Sequence, residues 1–112
     1  MTGVVILENF HRVELDEDGL LKDAGQWTEA LARAVAEQDG IGDLTEAHWQ
    51  VIRLLRDHYA KFGVAPAMSH ICWTLGMDKL CVHDLFGTCM EAWRVAGLPN
   101  PGEEAKAYLR DM

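Results

Sequence analysis

The segment 45–63 constrains the fold more than any other part of this chain. Thr45 suits a helix N-cap, because its side chain can accept a hydrogen bond from a free backbone N–H. Gly63 suits the position just after the helix, where a positive φ is common. The sequence therefore predicts a long amphipathic helix in a mainly helical fold. Its apolar stripe recurs every three or four residues, at Trp49, Ile52, Leu55, Tyr59 and Phe62.

Shorter elements are predicted on both sides of this helix. The stretches Val4–Leu7 and Val13–Leu15 are short and β-branched, and they predict an N-terminal hairpin. Thr28 is a plausible N-cap for a first helix. A last helix at 103–111 is marginal by itself in water, so we expect it to be ordered only if it docks. The predicted shorter helices are 27–38, 66–75, 78–85, 89–96 and 103–111.

Size and composition fit one small domain. The chain has 112 residues, of which 49% are hydrophobic, enough for a single core. No apolar run approaches the roughly 18 residues of a membrane span, and the first residues do not resemble a secretory signal. We therefore expect a cytoplasmic protein. The odd count of three cysteines favours reduced thiols over a disulfide framework.

The net charge of −8 lies entirely in the first part of the chain. Residues 1–46 carry eleven acidic side chains against three basic ones, whereas residues 47–112 carry seven of each. Such an acidic surface repels nucleic acids and anionic membranes and favours basic partners. Such a surface is more often a solvated face that keeps a small protein soluble.

Two stretches together resemble a known family. Leu-Thr-Glu-Ala-His-Trp at 44–49 and Ala-Gly-Leu-Pro-Asn-Pro at 96–101 are similar to the DsrC/TusE family of small sulfur-carrier proteins. The resemblance runs from about residue 15 to 101. It implies a small orthogonal helical bundle with a helix-turn-helix-like element, an N-terminal hairpin and a mobile C-terminal arm. Other residues that carry it are Asp16-Glu17-Asp18-Gly19, Trp27, Gln38-Asp39, Ile52, Leu55-Arg56, Tyr59, Ala65-Pro66 and Leu85-Phe86.

The chain departs from the family pattern at the two reactive positions. The resemblance implies a sulfur-carrying cysteine in the C-terminal arm, and that position falls near Glu104. A second family cysteine falls on Trp93, after a segment about two residues shorter than usual. A carboxylate cannot hold a persulfide, and an indole cannot form a disulfide. We therefore expect a DsrC-like domain at 1–101 and an extension at 102–112 that replaces the reactive arm.

The resemblance then implies a non-enzymatic protein of sulfur metabolism. We expect a regulatory or adaptor partner of sulfur-relay or sulfite-reductase-type proteins, without a cofactor and without a catalytic residue. No catalytic triad or phosphate-binding loop is present to argue otherwise. The expected partner-binding residues are Trp93, Arg94, Gly97, Leu98, Pro99 and Pro101.

Two other functions stay open. The first is a sulfur carrier that uses a relocated thiol at Cys89, whose place in the first turn of a helix would lower its pKa. The bland interpretation of Cys89 is a small buried hydrophobe. The second is a helix-turn-helix transcription regulator. The helix 66–75 carries no lysine or arginine, so contact with DNA phosphates is not favoured.

A metal site is not expected. His70 with Cys72, and Cys81 with His83, offer zinc-ligand types, but the spacing matches no common zinc arrangement. Residues two apart on a helix also point in different directions. The neighbouring residues Ile71, Trp73, Leu80 and Val82 are predicted to belong to the core.

Overall fold

A computed structural model describes residues 3–6 and 12–111 of the chain. The predicted hairpin is confirmed. Strand β1, Gly3–Ile6, pairs antiparallel with β2, Arg12–Leu15, so that Gly3 lies opposite Leu15. Leu7, the last residue of the predicted first strand, and the connection through residue 11 lie outside the described residues. After β2 the chain turns at 16–19, where Gly19 has a φ of 79°.

The two longest core helices begin and end where their capping residues predict. Helix α1, Glu29–Gln38, starts after Thr28, whose Oγ1 accepts a hydrogen bond from the Leu31 N–H at 3.1 Å. Helix α2, Glu46–Phe62, starts after Thr45 and ends at Gly63, which has a φ of 69°. The stripe of α2 faces the core at Ile52 and Leu55, but Phe62 at its end is exposed.

Four short α-helices complete the described part of the fold. They are α3, Met68–Thr74; α4, Cys81–Phe86; α5, Cys89–Val95; and α6, Glu103–Asp111. Asp78 and Thr88 precede α4 and α5 and accept hydrogen bonds from the Leu80 and Glu91 N–H groups. Because α5 packs against α1, α2, α4 and α6, it is the central element. Its Trp93 is completely buried.

The expectation of three reduced thiols is wrong for two of them. Cys72, near the end of α3, forms a disulfide with Cys81, the first residue of α4. Both side chains are buried, and their Cα atoms lie 5.8 Å apart, within the range that a disulfide requires. The loop between α3 and α4 brings the two residues together, which the spacing in the sequence did not reveal. The same bond joins two of the thiols considered above as zinc ligands.

The prediction that the neighbours of these cysteines belong to the core is only half correct. Ile71 and Val82 are buried, but Leu80 is exposed and Trp73 is 76% exposed. Trp73 lies on the side of α3 that faces solvent, and Leu80 lies just before the first residue of α4. Among the described residues, no helix is both long and apolar enough to cross a membrane.

Candidate functional site

The segment 94–101, which comprises the last residues of α5 and the loop after it, is held by side chains from three different parts of the chain. The Trp27 indole N–H donates to the Val95 carbonyl at 3.0 Å. The Trp93 indole N–H donates to the Pro99 carbonyl at 2.8 Å. Arg56, on α2, donates to the Ala96 carbonyl at 2.7 Å. These bonds satisfy backbone acceptors that a non-helical segment would otherwise leave to water.

Trp27 and Arg56 also contact each other. The Arg56 guanidinium carbon lies 4.1 Å from the centre of a Trp27 ring, which is the geometry of a cation–π interaction. Partial burial lowers the pKa of Arg56 from its ordinary value, since desolvation disfavours the charged form. An arginine nevertheless stays protonated at any physiological pH. The pair therefore provides a fixed cation and a ring beneath the segment.

Gly97 is required by this packing. Its φ is 69°, in the left-handed region. A Cβ atom at this position would overlap the Trp27 ring, with Cδ1 closest. The glycine in Ala-Gly-Leu-Pro thus lets the backbone pass directly over the indole.

Arg94 ties the segment to two loops at the other end. Its Nε donates to the Gly19 carbonyl at 3.0 Å, and its Nη1 lies 2.6 Å from Oδ2 of Asp39. Asp39 is the C-cap of α1, and Gly19 belongs to the acidic turn after β2. Burial raises the pKa of the nearby Glu91, with a further contribution from Asp39, while Arg94 opposes that rise. Arg94 is thus held between these loops.

The predicted partner-binding residues fall into a buried group and a partly exposed group. Trp93, Gly97 and Leu98 are buried, so in this conformation they shape the segment instead of contacting a partner. Arg94, Pro99 and Pro101 are partly exposed, and Asn100 is exposed. Direct partner binding stays a prediction for this exposed part.

The position of the missing arm cysteine lies on a docked helix. Glu104 is exposed in the first turn of α6, and Leu109 of the same helix is completely buried. The Tyr108 hydroxyl accepts a hydrogen bond from the Met68 N–H at 3.2 Å. The last segment therefore has the tertiary contacts that its predicted helix needs.

Ion pairs also fasten α6 to the acidic turn. Lys106 and Arg110 each lie 2.7 Å from an Asp18 carboxylate oxygen, and Lys106 lies 2.8 Å from Glu103. The hydrogen bond from Lys106 and the charges of both cations lower the pKa of Asp18. The same contacts with Asp18 and Glu103 raise the pKa of Lys106.

The expectation of a lowered pKa at Cys89 is wrong. Its side chain is only 2% exposed, and burial raises the pKa of the thiol to about 11. Desolvation disfavours a thiolate more than the start of a short helix stabilises it. In this conformation Cys89 is neither ionised nor accessible, and its role as a relocated sulfur carrier has no support from the geometry.

Sequence reasoning did not identify the residues that hold the segment. Trp27, Asp39 and Arg56 carried the resemblance, yet no local pattern showed that they meet at 94–97. Their partners lie 40 to 68 positions away along the chain. The one signal for these residues in the sequence was their place among the residues that match the family pattern.

Comparison with known proteins assigns this arrangement to a family. The sequence profile of the family described as DsrC like protein matches residues 8–103, which include the whole segment 94–101. The chain belongs to the DsrC-like family. The match ends at the first residue of α6, so most of that helix lies beyond the matched part of this DsrC-like chain.

Curated relatives and solved structures agree. Sulfurtransferase TusE of Escherichia coli K12 is 37% identical over 98 residues, covering 80% of this chain and 89% of the relative. The TusE homolog of Haemophilus influenzae is 39% identical over 100 residues, covering 81% and 91%.

Among the solved structures, the oxidized gamma-subunit of the dissimilatory sulfite reductase (DsrC) from Archaeoglobus fulgidus superposes with a TM-score of 0.78. It is 32% identical, and the match covers 90% of this chain and 98% of that one. Allochromatium vinosum DsrC gives a TM-score of 0.73 at 28% identity, covering 92% and 98%. The predicted family and fold class are confirmed.

Proposed function

We propose that this DsrC-like chain is a non-enzymatic adaptor or regulator in sulfur metabolism, acting in the cytoplasm. It binds sulfur-relay or sulfite-reductase-type proteins and does not carry sulfur itself. The names of its relatives support this class of partner, because one group is called sulfurtransferase TusE and another is a sulfite reductase gamma-subunit.

The observation that carries the proposal is the loss of a usable thiol on a retained scaffold. Glu104 occupies the position near which the arm cysteine is expected, and the second position is the buried ring of Trp93. Cys89 is buried with a raised pKa, and Cys72 and Cys81 are bonded to each other. Sulfur transfer needs a thiolate that can reach its partner.

The extension 102–112 takes the place of a reactive arm in this proposal. It forms α6, which contacts the body through Leu109, Tyr108 and Lys106. A helix held by a buried leucine and ion pairs gives a fixed surface for a partner to recognise. A regulator acting on DNA is not supported, because the chain is acidic and α3 has no lysine or arginine.

Affinity capture tests this function. The full chain is fixed to a resin, exposed to an extract of its host, and the retained proteins are identified by mass spectrometry. We expect enrichment of sulfur-relay or sulfite-reductase-type proteins. Asn100→Arg, on the exposed part of segment 94–101, should reduce the recovery of these proteins. Gln38→Arg, at an exposed position of α1, makes the same change in net charge and should leave their recovery unchanged. Enrichment of unrelated proteins only would refute the proposal.

A further inference from the structure

An open groove lies between the start of α6 and the connection from α2 to α3. Its volume is about 540 Å³. One wall is formed by Val64 and Ala65, and the opposite wall is formed by α6 up to Tyr108. Since most of α6 lies beyond the family match, this groove depends on a part of the chain outside that match.

Apolar side chains face this groove from both walls. Val64 is 59% exposed and Tyr108 is 39% exposed. Both side chains therefore present apolar surface that a partner can cover. The Tyr108 hydroxyl is hydrogen-bonded to Met68, which fixes the ring in place before anything binds. Binding against a preset ring loses little conformational entropy.

The charge of the groove has one sign. Glu103 and Glu104 line it, and among the described residues no lysine or arginine does so. Glu103 is paired with Lys106, whereas Glu104 forms no ion pair or side-chain hydrogen bond with the described part of the chain. The whole chain adds a net charge of −8. A free carboxylate next to exposed apolar side chains is complementary to a basic side chain beside an apolar one.

We propose that this groove binds a linear segment of a partner protein that presents one apolar side chain flanked by lysine or arginine. The apolar side chain lies between Val64 and Tyr108, and the basic side chain pairs with Glu104. A second copy of this chain is disfavoured as the occupant, since two bodies of charge −8 repel each other. The inference rests on the proposed adaptor function and specifies the chemistry of the partner.

Selection from a library of short random peptides displayed on phage, with the full oxidised chain as bait, tests the charge and apolar requirements together. We expect the recovered peptides to combine arginine or lysine with a leucine, isoleucine or aromatic residue. Their binding should weaken as the salt concentration rises. Recovery of neutral or acidic sequences, or of none at all, would overturn the inference.

Matched variants test whether the recovered peptides bind in the groove. Glu104→Lys should weaken their binding about five- to tenfold, because it removes an ion pair and adds a like charge. Glu37→Lys, at an exposed position of α1, makes the same change in net charge and should leave peptide affinity within about twofold of that of the unsubstituted protein. Val64→Ser should also weaken binding, while Leu80→Ser at another exposed apolar position should not.

The outcomes separate this inference from the proposed function. Equal binding by Glu104→Lys and Glu37→Lys would overturn the groove as the site. If Glu104→Lys still captured sulfur-relay or sulfite-reductase-type proteins from extract as well as the unchanged protein did, the adaptor function would stand without the groove. Capture of unrelated proteins only, with peptide binding lost in Glu104→Lys, would keep the groove and refute the sulfur-related function.

Discussion

Replacing Gly97 by alanine tests the packing of the segment 94–101 most sharply. The new Cβ atom would overlap the ring of Trp27, which cannot stay where it is. Moving the ring breaks its hydrogen bond to the Val95 carbonyl and its stacking on Arg56. Gly63→Ala is a matched control, because Gly63 has the same φ of 69° but open space around its Cβ position.

The two substitutions share one energetic term and differ in the rest. Both place an alanine in the left-handed region, which costs about 1–2 kcal/mol. Gly97→Ala also loses a hydrogen bond of about 1 kcal/mol and a cation–π contact of about 0.5–1 kcal/mol, together with ring packing. We expect its free energy of unfolding to fall by about 2–3 kcal/mol more than that of Gly63→Ala.

Urea denaturation followed by tryptophan fluorescence and by far-UV circular dichroism measures both values. Coincident transitions from the two probes would justify a two-state treatment. If Gly97→Ala lost no more stability than Gly63→Ala, the contact between the segment backbone and Trp27 would not be a determinant of the fold.

Three other substitutions test separate contacts. Arg94→Lys should lower the free energy of unfolding by about 1–3 kcal/mol. The planar guanidinium of Arg94 bonds both the Asp39 carboxylate and the Gly19 carbonyl, whereas the single ammonium of a lysine cannot reproduce both contacts. Equal stability of the two proteins in urea would contradict this. Asp18→Asn should weaken stability at neutral pH, because the lowered pKa of Asp18 shows that the fold stabilises its ionised form. The difference should begin to shrink as the pH falls below about 4, the ordinary carboxyl value, and should vanish only below the lowered pKa of Asp18. Thermal melts from pH 2 to 7 measure this, and a difference that does not change with pH would contradict it. Cys72→Ala should lower the free energy of unfolding by about 2–3 kcal/mol relative to the oxidised protein. A thiol-reducing agent should leave the stability of this variant unchanged, while it destabilises the unsubstituted protein. An equal response of both proteins would refute the disulfide.

Local signals in the sequence predicted the elements well. The caps at Thr28 and Thr45 and the glycine at Gly63 act over a few residues, so their position in the sequence defines where helices begin and end. The exposed end of the α2 stripe at Phe62 was missed, because periodicity does not show where the neighbouring elements stop.

Long-range contacts were predicted poorly. The disulfide and the exposure of Trp73 both depend on how the helices pack, which spacing alone does not determine. The pKa of Cys89 is the clearest case, since the expected helix effect is real but smaller than the desolvation that tertiary packing imposes. The pairing of Arg94 with Asp39, 55 positions away, likewise had no local signal.

The central claim is that this scaffold does not carry sulfur, and intact-protein mass spectrometry tests it directly. The folded chain is incubated with a persulfide donor and its peptides are mapped, with urea-unfolded protein as the control in which Cys89 is accessible. We predict that folded Cys89 gains no sulfur atom and that the unfolded control does. A sulfur atom on Cys89 of the folded protein would contradict the account and identify a carrier with a relocated thiol.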